Sequence, residues 1–160
     1  SDPLIITVAH ETAHQWFYGI VGNDQVDEAW LDEGFAAYSE TVFAEKTYGK
    51  KTAQDYYRRT VEDSVKEAMS SRTIDGSVVK SLSEFKNWDD YGPTAYDRGA
   101  QVHNELRNML GDDTFLKIVR TYVDRYKFKI ATTDDYIKVC EEVSGKDLTE
   151  FFRPWIGDSK

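Results

Sequence analysis

Two histidines and a glutamate near the start of the chain have the types and spacing of a zinc site. His10 and His14 stand four residues apart in the run His-Glu-Thr-Ala-His. Residues four apart on a helix lie on the same face, so both imidazoles can reach one ion. Glu33, nineteen residues after His14, would complete three protein ligands and leave the fourth position of a catalytic zinc open. We therefore predict one zinc ion (Zn2+) per chain, bound by His10, His14 and Glu33.

Glu11 is the candidate general base of the same site. It lies about 100° around the helix from His10, close enough to reach a water on the metal but badly placed to be a ligand. Zinc lowers the pKa of such a water from about 15.7 to near 7, and Glu11 can accept its proton. The alternative is a helix with two surface histidines and a glutamate. The apolar flanks of the motif argue against it, because a buried ionisable group is costly unless it is paired or binds a metal.

Two supporting roles have candidates elsewhere in the chain. Glu40 lies seven residues after Glu33, on the same helix face, and can accept a hydrogen bond from the free ring nitrogen of a ligand histidine. An exposed helix charge is the alternative for Glu40. An oxyanion needs a hydrogen-bond donor beside the metal, and Tyr96 is a better candidate than His103, for which a structural or surface role is favoured. Spacing alone leaves Tyr96 as one of ten tyrosines.

The composition fits one folded domain and argues against two classes of partner. The 160 residues are 40% hydrophobic, enough for a sizeable core. The formal charge of −9 at pH 7 argues against nucleic acid or an anionic membrane as a partner. No apolar run is long enough to span a bilayer. Cys140 is the only cysteine, so no intrachain disulfide can form, and we predict a buried, inert thiol.

Helical periodicity dominates the chain, so helices must position these residues. Asp2 is a predicted N-cap, and Pro3 suits the first turn of the first helix. The segment 71–92 has poor periodicity and is predicted to be an irregular loop, of a length that is more often functional than idle. We predict a mainly α fold, a single domain over 1–160 with six or seven helices at about 3–18, 28–48, 52–69, 93–110, 113–125, 133–143 and 148–155.

Three motifs in this order resemble the M1 family of zinc aminopeptidases, which are gluzincins. They are Val-Ala-His-Glu-Thr-Ala-His-Gln-Trp-Phe, the Trp30–Phe35 segment at its nineteen-residue offset, and Tyr-x-Arg-Gly-Ala beginning at Tyr96. The resemblance extends to the Phe-Phe-x-x-Trp ending at 151–155. It implies a multi-helix bundle like the helical half of a thermolysin-like (gluzincin) catalytic domain.

The resemblance also implies roles for single residues. In the family, the residue matching Glu11 is the general base, and the tyrosine matching Tyr96 stabilises the oxyanion. A glutamate matching Glu40 is typical of the family's zinc helix. Tyr91, five residues before Tyr96, is a candidate for lining the substrate site. The zinc ligands that the resemblance implies are the same three residues, His10, His14 and Glu33.

The sequence departs from the family pattern at three places near these motifs. Tyr18-Gly19 stands where many relatives have Gly-Asn, at the end of the first helix. Asp32 replaces a frequent asparagine before the third ligand, which adds a charge near the zinc without displacing a ligand. Arg98 replaces the usual lysine and keeps the charge.

The largest departure is a motif that this chain does not contain. M1 enzymes carry a Gly-x-Met-Glu-Asn motif upstream of the zinc helix, on a β-rich part of the catalytic domain, and its glutamate binds the amino terminus of the substrate. We therefore expect a piece of a longer protein, with the upstream β-rich half as its partner. The expected function is a zinc-dependent metallopeptidase acting on peptide substrates, an aminopeptidase in its full-length form. The alternatives are a non-catalytic, zinc-stabilised helical module for binding or assembly, and a zinc hydrolase of a non-peptide bond.

Overall fold

The computed structural model describes residues 3–157 and shows a mainly α fold, as predicted. The helices are packed around one main core, and none of those in the described residues is long and apolar enough to cross a membrane. The predicted N-cap Asp2 lies outside the described residues. The helices are α1 (Pro3–Ala13), α2 (Trp30–Tyr48), α3 (Lys50–Tyr57), α4 (Asp63–Ser70), α5 (Trp88–Tyr91), α6 (Gly99–Leu110), α7 (Asp112–Tyr126), α8 (Thr133–Ser144) and α9 (Thr149–Ile156).

Two π-helical segments interrupt what the sequence predicts as regular helices. Arg58–Glu62 joins α3 to α4, and Gly92–Arg98 joins α5 to α6. In a π turn the N–H bonds to a carbonyl five residues back, as the Asp63 N–H does to the Arg58 carbonyl. Such segments are rare and frequently lie at functional sites. The second of them contains Tyr96, the candidate donor to an oxyanion.

The first helix is shorter than predicted. It ends at Ala13 instead of Tyr18, because the backbone turns back on itself: the Tyr18 N–H donates to the Val21 carbonyl at 2.8 Å. This reversal holds Tyr18 at a φ of 108°, a conformation that side chains rarely adopt. At Gly19, a Cβ would lie 2.7 Å from the Gln15 carbonyl oxygen, so only glycine fits without a shift.

A short pair of parallel strands is absent from the sequence prediction. The strand β1 (Val21–Gly22) pairs with β2 (Lys129–Ile130), and the Ala131 N–H extends the ladder to the Gly22 carbonyl at 2.8 Å. Strands of two residues are too short to show the alternation that identifies a strand in sequence. The pair ties the turn after α1 to the segment after α7.

The predicted loop 71–92 contains helical structure at its end. A single 3₁₀ turn occupies Leu82–Glu84, and α5 begins at Trp88. Asn87 caps α5, because its side chain accepts a hydrogen bond from the Asp89 N–H at 2.7 Å and Asp90 completes a capping box. The helix therefore begins five residues before the predicted start at Pro93.

Aromatic side chains from α2, α6 and α8 fill the centre of the core. Trp30, Phe35 and Tyr136 are each no more than 2% exposed, and His103 lies among them. The Trp30 indole N–H donates to the Thr133 hydroxyl at 3.0 Å, which satisfies its buried donor. This packing fixes the start of α2, and with it the position of Glu33.

Candidate metal centre

The three predicted ligands meet at one point between α1 and α2. The Nε2 atoms of His10 and His14 are 3.2 Å apart, and the Glu33 Oε2 lies 3.3 Å from the first and 3.2 Å from the second. His10 is buried, while His14 and Glu33 are half-buried. Among the residues that the structure describes, this is the cluster of histidine, cysteine and carboxylate side chains that could hold a metal ion.

The outer nitrogen of each histidine is held by an acceptor. The His10 Nδ1 lies 2.7 Å from the Glu40 Oε1, and the His14 Nδ1 lies 3.1 Å from the Phe17 carbonyl oxygen. Carboxylate and carbonyl oxygens only accept, so both Nδ1 atoms carry hydrogen and donate. Both Nε2 atoms are thereby turned toward Glu33 and left available to a metal ion.

The shape of this triangle fits zinc. Ligand atoms about 2.0–2.1 Å from a tetrahedral zinc are separated by roughly 3.3 Å, close to the three separations found here. The Glu33 Oε2 is buried and has no well-aligned hydrogen-bond donor within the described residues. Two imidazole nitrogens and one carboxylate oxygen also form a donor set typical of catalytic zinc.

The electrostatics of the site favour a positive charge at its centre. Burial lowers the pKa of His10, but contacts with Glu33 and Glu40 outweigh it and raise that pKa to about 9. Burial raises the pKa of Glu33, but His10, His14 and Tyr96 lower it to about 2. Contact with Glu33 likewise raises the pKa of His14, against the effect of burial. Without metal, His10 therefore carries an extra proton at neutral pH. The positive charge of this proton lies where a metal cation would otherwise supply it.

Glu11 and the two tyrosines, Tyr91 and Tyr96, differ in their positions relative to the three ligands. Glu11 is exposed on α1, next to His10, and so is open to water. The Tyr96 ring lies 5.7 Å from the His10 ring, with the two planes 9° apart. Burial and the neighbouring Glu33 raise the pKa of Tyr96, which therefore keeps its hydroxyl proton. Tyr91, whose pKa burial and Glu33 raise to about 12, packs its ring 5.8 Å from that of Tyr96.

An open groove begins at Tyr96. It has a volume of about 640 Å³, and Trp88, which is 64% exposed, forms part of its wall. The Trp88 ring lies 5.4 Å from the Tyr96 ring and 5.7 Å from the Tyr91 ring. No role for Trp88 follows from the sequence, because its segment is predicted to be an irregular loop.

Asp32 lies behind His14, held by two amides that the sequence analysis missed. The Asn23 Nδ2 donates to its Oδ1 at 2.9 Å and the Gln25 Nε2 to its Oδ2 at 2.6 Å. The Oδ2 lies 3.9 Å from the His14 Nδ1. Burial raises the pKa of Asp32, and the two amides oppose that shift. The extra carboxyl beside the third ligand therefore has its own partners, and it leaves the geometry of the triangle intact.

Glu40 has a second partner that no sequence pattern indicated. The Tyr56 hydroxyl, at the end of α3, donates to the Glu40 Oε2, while the Oε1 of the same carboxylate accepts from His10. Glu40 is therefore a partner of a histidine, as one of its two interpretations predicted, and it is not an exposed helix charge. Tyr56 lies sixteen residues after Glu40 and on another helix, so no helical spacing in the sequence predicts that the two side chains meet.

His103 and Cys140 have structural positions. His103 is fully buried; its ring lies 3.8 Å from the Phe35 ring, and its Nδ1 lies 3.0 Å from the Tyr136 hydroxyl. Cys140 is also fully buried, and burial raises the pKa of its thiol, as expected of an inert cysteine. The predicted burial of Cys140 is confirmed, and His103 lies in the core, in keeping with the structural role favoured for it.

Comparison with known proteins identifies the family. The bovine endoplasmic reticulum aminopeptidase 2 is 31% identical over 138 residues, which cover 84% of this chain and 14% of the relative. The rice aminopeptidase M1-C is 28% identical over 95% of this chain and 17% of its own length. The chain thus spans about a sixth of the length of these relatives.

Solved structures share the fold. The M1 zinc metallopeptidase of Deinococcus radiodurans superposes with a TM-score of 0.70 at 24% identity, over 94% of this chain and 32% of that one. The native yeast LTA4 hydrolase gives a TM-score of 0.74 at 21% identity, over 98% and 26%. The family model described as the peptidase family M1 domain matches residues 3–155. The chain therefore belongs to peptidase family M1.

Proposed function

We propose that this chain carries the metal centre of a zinc metallopeptidase, and that the full-length protein removes residues from the amino end of peptides. The observation that supports this most directly is the triangle of His10, His14 and Glu33, with sides of 3.2–3.3 Å. The membership of family M1 and the names of the relatives, which are aminopeptidases, support the reaction class.

In this proposal, His10, His14 and Glu33 hold the ion through two Nε2 atoms and one carboxylate oxygen. When bound, zinc supplies a Lewis acid that polarises a carbonyl and makes water acidic near neutral pH. Glu11, exposed beside His10, accepts the proton of the attacking water and returns it to the leaving amine. Tyr96, which stays protonated, donates a hydrogen bond to the oxyanion of the substrate.

The groove beside Tyr96 gives the substrate room on one side of the site. Trp88 and Tyr96 form an aromatic wall there, against which a peptide can pack. We propose that residues 1–160 act as one helical subdomain, and that an upstream β-rich half of the full-length protein provides the opposite wall and binds the amino terminus. The restriction to the amino end of a peptide then depends on residues outside this chain.

Zinc content and turnover test this proposal together. The chain is expected to hold about one zinc ion by elemental analysis, and Glu33→Ala is expected to lose it, because the donor set is then incomplete. Glu11→Gln in the full-length protein is expected to keep its zinc and lose peptide hydrolysis by at least about a hundredfold. Glu105→Gln, which changes an exposed glutamate on α6, is the matched control and should change neither.

The outcomes separate the alternatives. Zinc without hydrolysis of any peptide in the wild-type full-length protein would favour a zinc-stabilised binding or assembly module. A folded chain that binds no zinc would refute the ligand assignment. Full activity in Glu11→Gln would refute the assignment of the base and leave the metal site standing.

A further inference from the structure

We propose that Tyr56 is a positioning residue of the metal centre, whose hydroxyl holds Glu40 in the one orientation that keeps the Nε2 of His10 directed at the metal. The inference rests on the proposed metal site, since it concerns how that site is held together. The hydrogen bond that Tyr56 makes is to Glu40 and to none of the three ligands, so it acts through Glu40. Its role therefore differs from those of Glu11 and Tyr96.

The contacts form a chain of three side chains from three helices. Tyr56 of α3 donates to the Glu40 Oε2, and the Glu40 Oε1 on α2 lies 2.7 Å from the Nδ1 of His10 on α1. All three side chains are at least half-buried; that of Glu40 is 18% exposed. Each oxygen of the Glu40 carboxylate thus has its own donor, and the carboxylate is fixed at both ends.

The hydrogen positions along this chain follow from chemistry. Burial raises the pKa of Tyr56, and the adjacent Glu40 raises it further, because a phenolate beside a carboxylate would bring two negative charges together. Tyr56 therefore stays protonated and is the donor. Glu40 can then only accept, so the hydrogen between Glu40 and His10 is on the Nδ1 of His10. The remaining ring nitrogen, Nε2, is the one that faces Glu33.

The local backbone explains why a residue of α3 reaches Glu40. Tyr56 lies just before the π-helical segment Arg58–Glu62, and Ser64 lies just after it. Ser64 donates to the Asp97 Oδ2 at 2.5 Å. Tyr56 and Ser64 are eight residues apart, and on a regular helix their side chains would point in directions about 80° apart. The π turn between them contains one extra residue, which reduces this angle and brings the two side chains closer to the same face. The two anchors attach α3 and α4 to both α2 and the segment that carries Tyr96.

Loss of the Tyr56 hydroxyl should loosen Glu40 without removing it. A glutamate side chain has several rotatable bonds, and a carboxylate held at one end only can turn toward water. Partners of metal-binding histidines typically change metal affinity by about 10–100-fold when mutated. Tyr56 stands one contact further from the metal, so we expect Tyr56→Phe to weaken zinc binding by about threefold to tenfold.

A double-mutant cycle on zinc affinity tests the proposal. Zinc dissociation constants of the chain would be measured by competition with a chromogenic chelator for wild type, Tyr56→Phe, Glu40→Ala and the double variant. If Tyr56 acts through Glu40, its mutation weakens binding in the wild-type background and has no effect in the Glu40→Ala background. Tyr48→Phe, whose ring packs on Phe43, is the matched control and should bind zinc like wild type.

A second readout is independent of zinc. In the metal-free chain, the rate at which the Hδ1 proton of His10 exchanges with water can be measured by NMR of the imidazole N–H groups. Tyr56→Phe is expected to raise this rate at His10 by threefold or more. The Hδ1 of His14, which is bonded to the Phe17 carbonyl, should exchange at an unchanged rate and so serves as an internal control.

The two readouts separate failure of this inference from failure of the proposed function. A wild-type chain that binds no zinc would refute the metal site, and the exchange rate of His10 would still decide the role of Tyr56. Unchanged exchange at His10 in Tyr56→Phe would overturn the inference. An equal loss of zinc affinity with and without Glu40 would also overturn it, because Tyr56 would then act by some route other than Glu40.

Discussion

Gly34 and Gly99 touch backbone to backbone where α2 crosses α6. A Cβ placed on Gly34 would lie 2.9 Å from the Gly99 Cα, and one placed on Gly99 would lie 2.8 Å from the Gly34 Cα. Gly34 directly follows the candidate ligand Glu33, and Gly99 comes three residues after Tyr96. Because neither glycine has a side chain, the two backbones can come into contact. This contact sets the distance between α2, which carries Glu33, and the segment that carries Tyr96.

Gly34→Ala is expected to destabilise the fold and disturb the metal site together. The added methyl group meets backbone atoms, which cannot move aside as a flexible side chain can. We expect a loss of about 3 kcal/mol in the free energy of unfolding and weaker zinc binding, because the helices separate. Urea denaturation of the metal-free chain and chelator competition measure the two effects. A Gly34→Ala variant with the stability and the zinc affinity of wild type would contradict the backbone contact between Gly34 and Gly99.

Gly111→Ala is the matched control. Gly111 lies at a φ of +82°, and no atom lies within 4 Å of a Cβ added there. Its ψ of 161° puts it in a region that is essentially restricted to glycine, so alanine costs backbone strain of about 1–3 kcal/mol without any clash. It should therefore lower stability and leave zinc affinity unchanged, which distinguishes the effect of the crossing from that of general destabilisation.

Tyr18→Gly is expected to stabilise the protein. Tyr18 has a φ of 108°, in a region of backbone conformation that glycine adopts at little steric cost. Its side chain is 50% exposed, so little packing is lost when it is removed. Strain of about 1–3 kcal/mol is relieved, against about 0.5–1 kcal/mol of extra backbone entropy in the unfolded chain. A rise in the thermal midpoint by a few degrees is the expected result.

The neighbouring position gives the opposite expectation. Gly19→Ala would place its Cβ 2.7 Å from the Gln15 carbonyl oxygen, so the thermal midpoint should fall. If Tyr18→Gly also lowered the thermal midpoint, the packing of the Tyr18 side chain would stabilise the protein by more than the backbone strain at its positive φ destabilises it.

The ligand set could be predicted from sequence because its geometry is local or periodic. His10 and His14 share a helix face by spacing alone, and Glu33 needs only the start of the next long helix. The helices themselves follow from apolar periodicity and from the glycines that end them. The predicted metal cluster is therefore present in the structure with the same three residues.

The remaining features depend on contacts between distant segments. The bond from Tyr56 to Glu40 joins two helices with no sequence signal, and the amides of Asn23 and Gln25 meet Asp32 through the fold of a turn. The π-helical segments and the two-residue strands depend on tertiary packing and leave no periodic pattern. By contrast, the start of α5 carried a readable capping box at Asn87 that the sequence prediction overlooked.

Arg98→Lys is expected to destabilise the fold although it keeps the charge. The Arg98 Nε donates to the Gly76 carbonyl at 3.0 Å, the Nη1 donates to the Gln101 Oε1 at 3.1 Å, and the guanidinium lies 4.1 Å from the centre of the Trp155 ring. One ammonium group cannot make these three contacts at once. We expect a loss of about 1–2 kcal/mol in the free energy of unfolding, measured by urea denaturation.

An exposed arginine provides the comparison. Arg153 pairs with Glu150 on the surface of α9, and Arg153→Lys should change stability by less than about 0.5 kcal/mol. Similar values for the two substitutions would mean that the contacts of Arg98 contribute no more than a surface pair.

The last prediction concerns acid stability and the buried His103. Burial lowers the pKa of His103 to about 3 in the folded protein, against about 6.5 in the unfolded chain. Between these two pH values, His103 binds a proton in the unfolded chain but not in the folded protein. The free energy of unfolding therefore decreases as the pH falls from about 6.5 toward 3. Above about 6.5 His103 is neutral in both states, and the effect disappears. The slope due to this one residue is at most about 1.4 kcal/mol per pH unit.

His103→Phe isolates this contribution from that of other titrating groups. The variant removes the hydrogen bond between His103 and the Tyr136 hydroxyl, which costs about 1–3 kcal/mol at every pH, because a buried tyrosine stays neutral throughout this range. The difference in unfolding free energy between wild type and variant should therefore be constant above about pH 6.5 and shift in favour of the variant below it. Urea denaturation of the metal-free proteins at several pH values between 4 and 8 measures this difference. A difference that does not change with pH would mean that the folded protein accommodates a charged His103, through water or a backbone movement that exposes its Nε2.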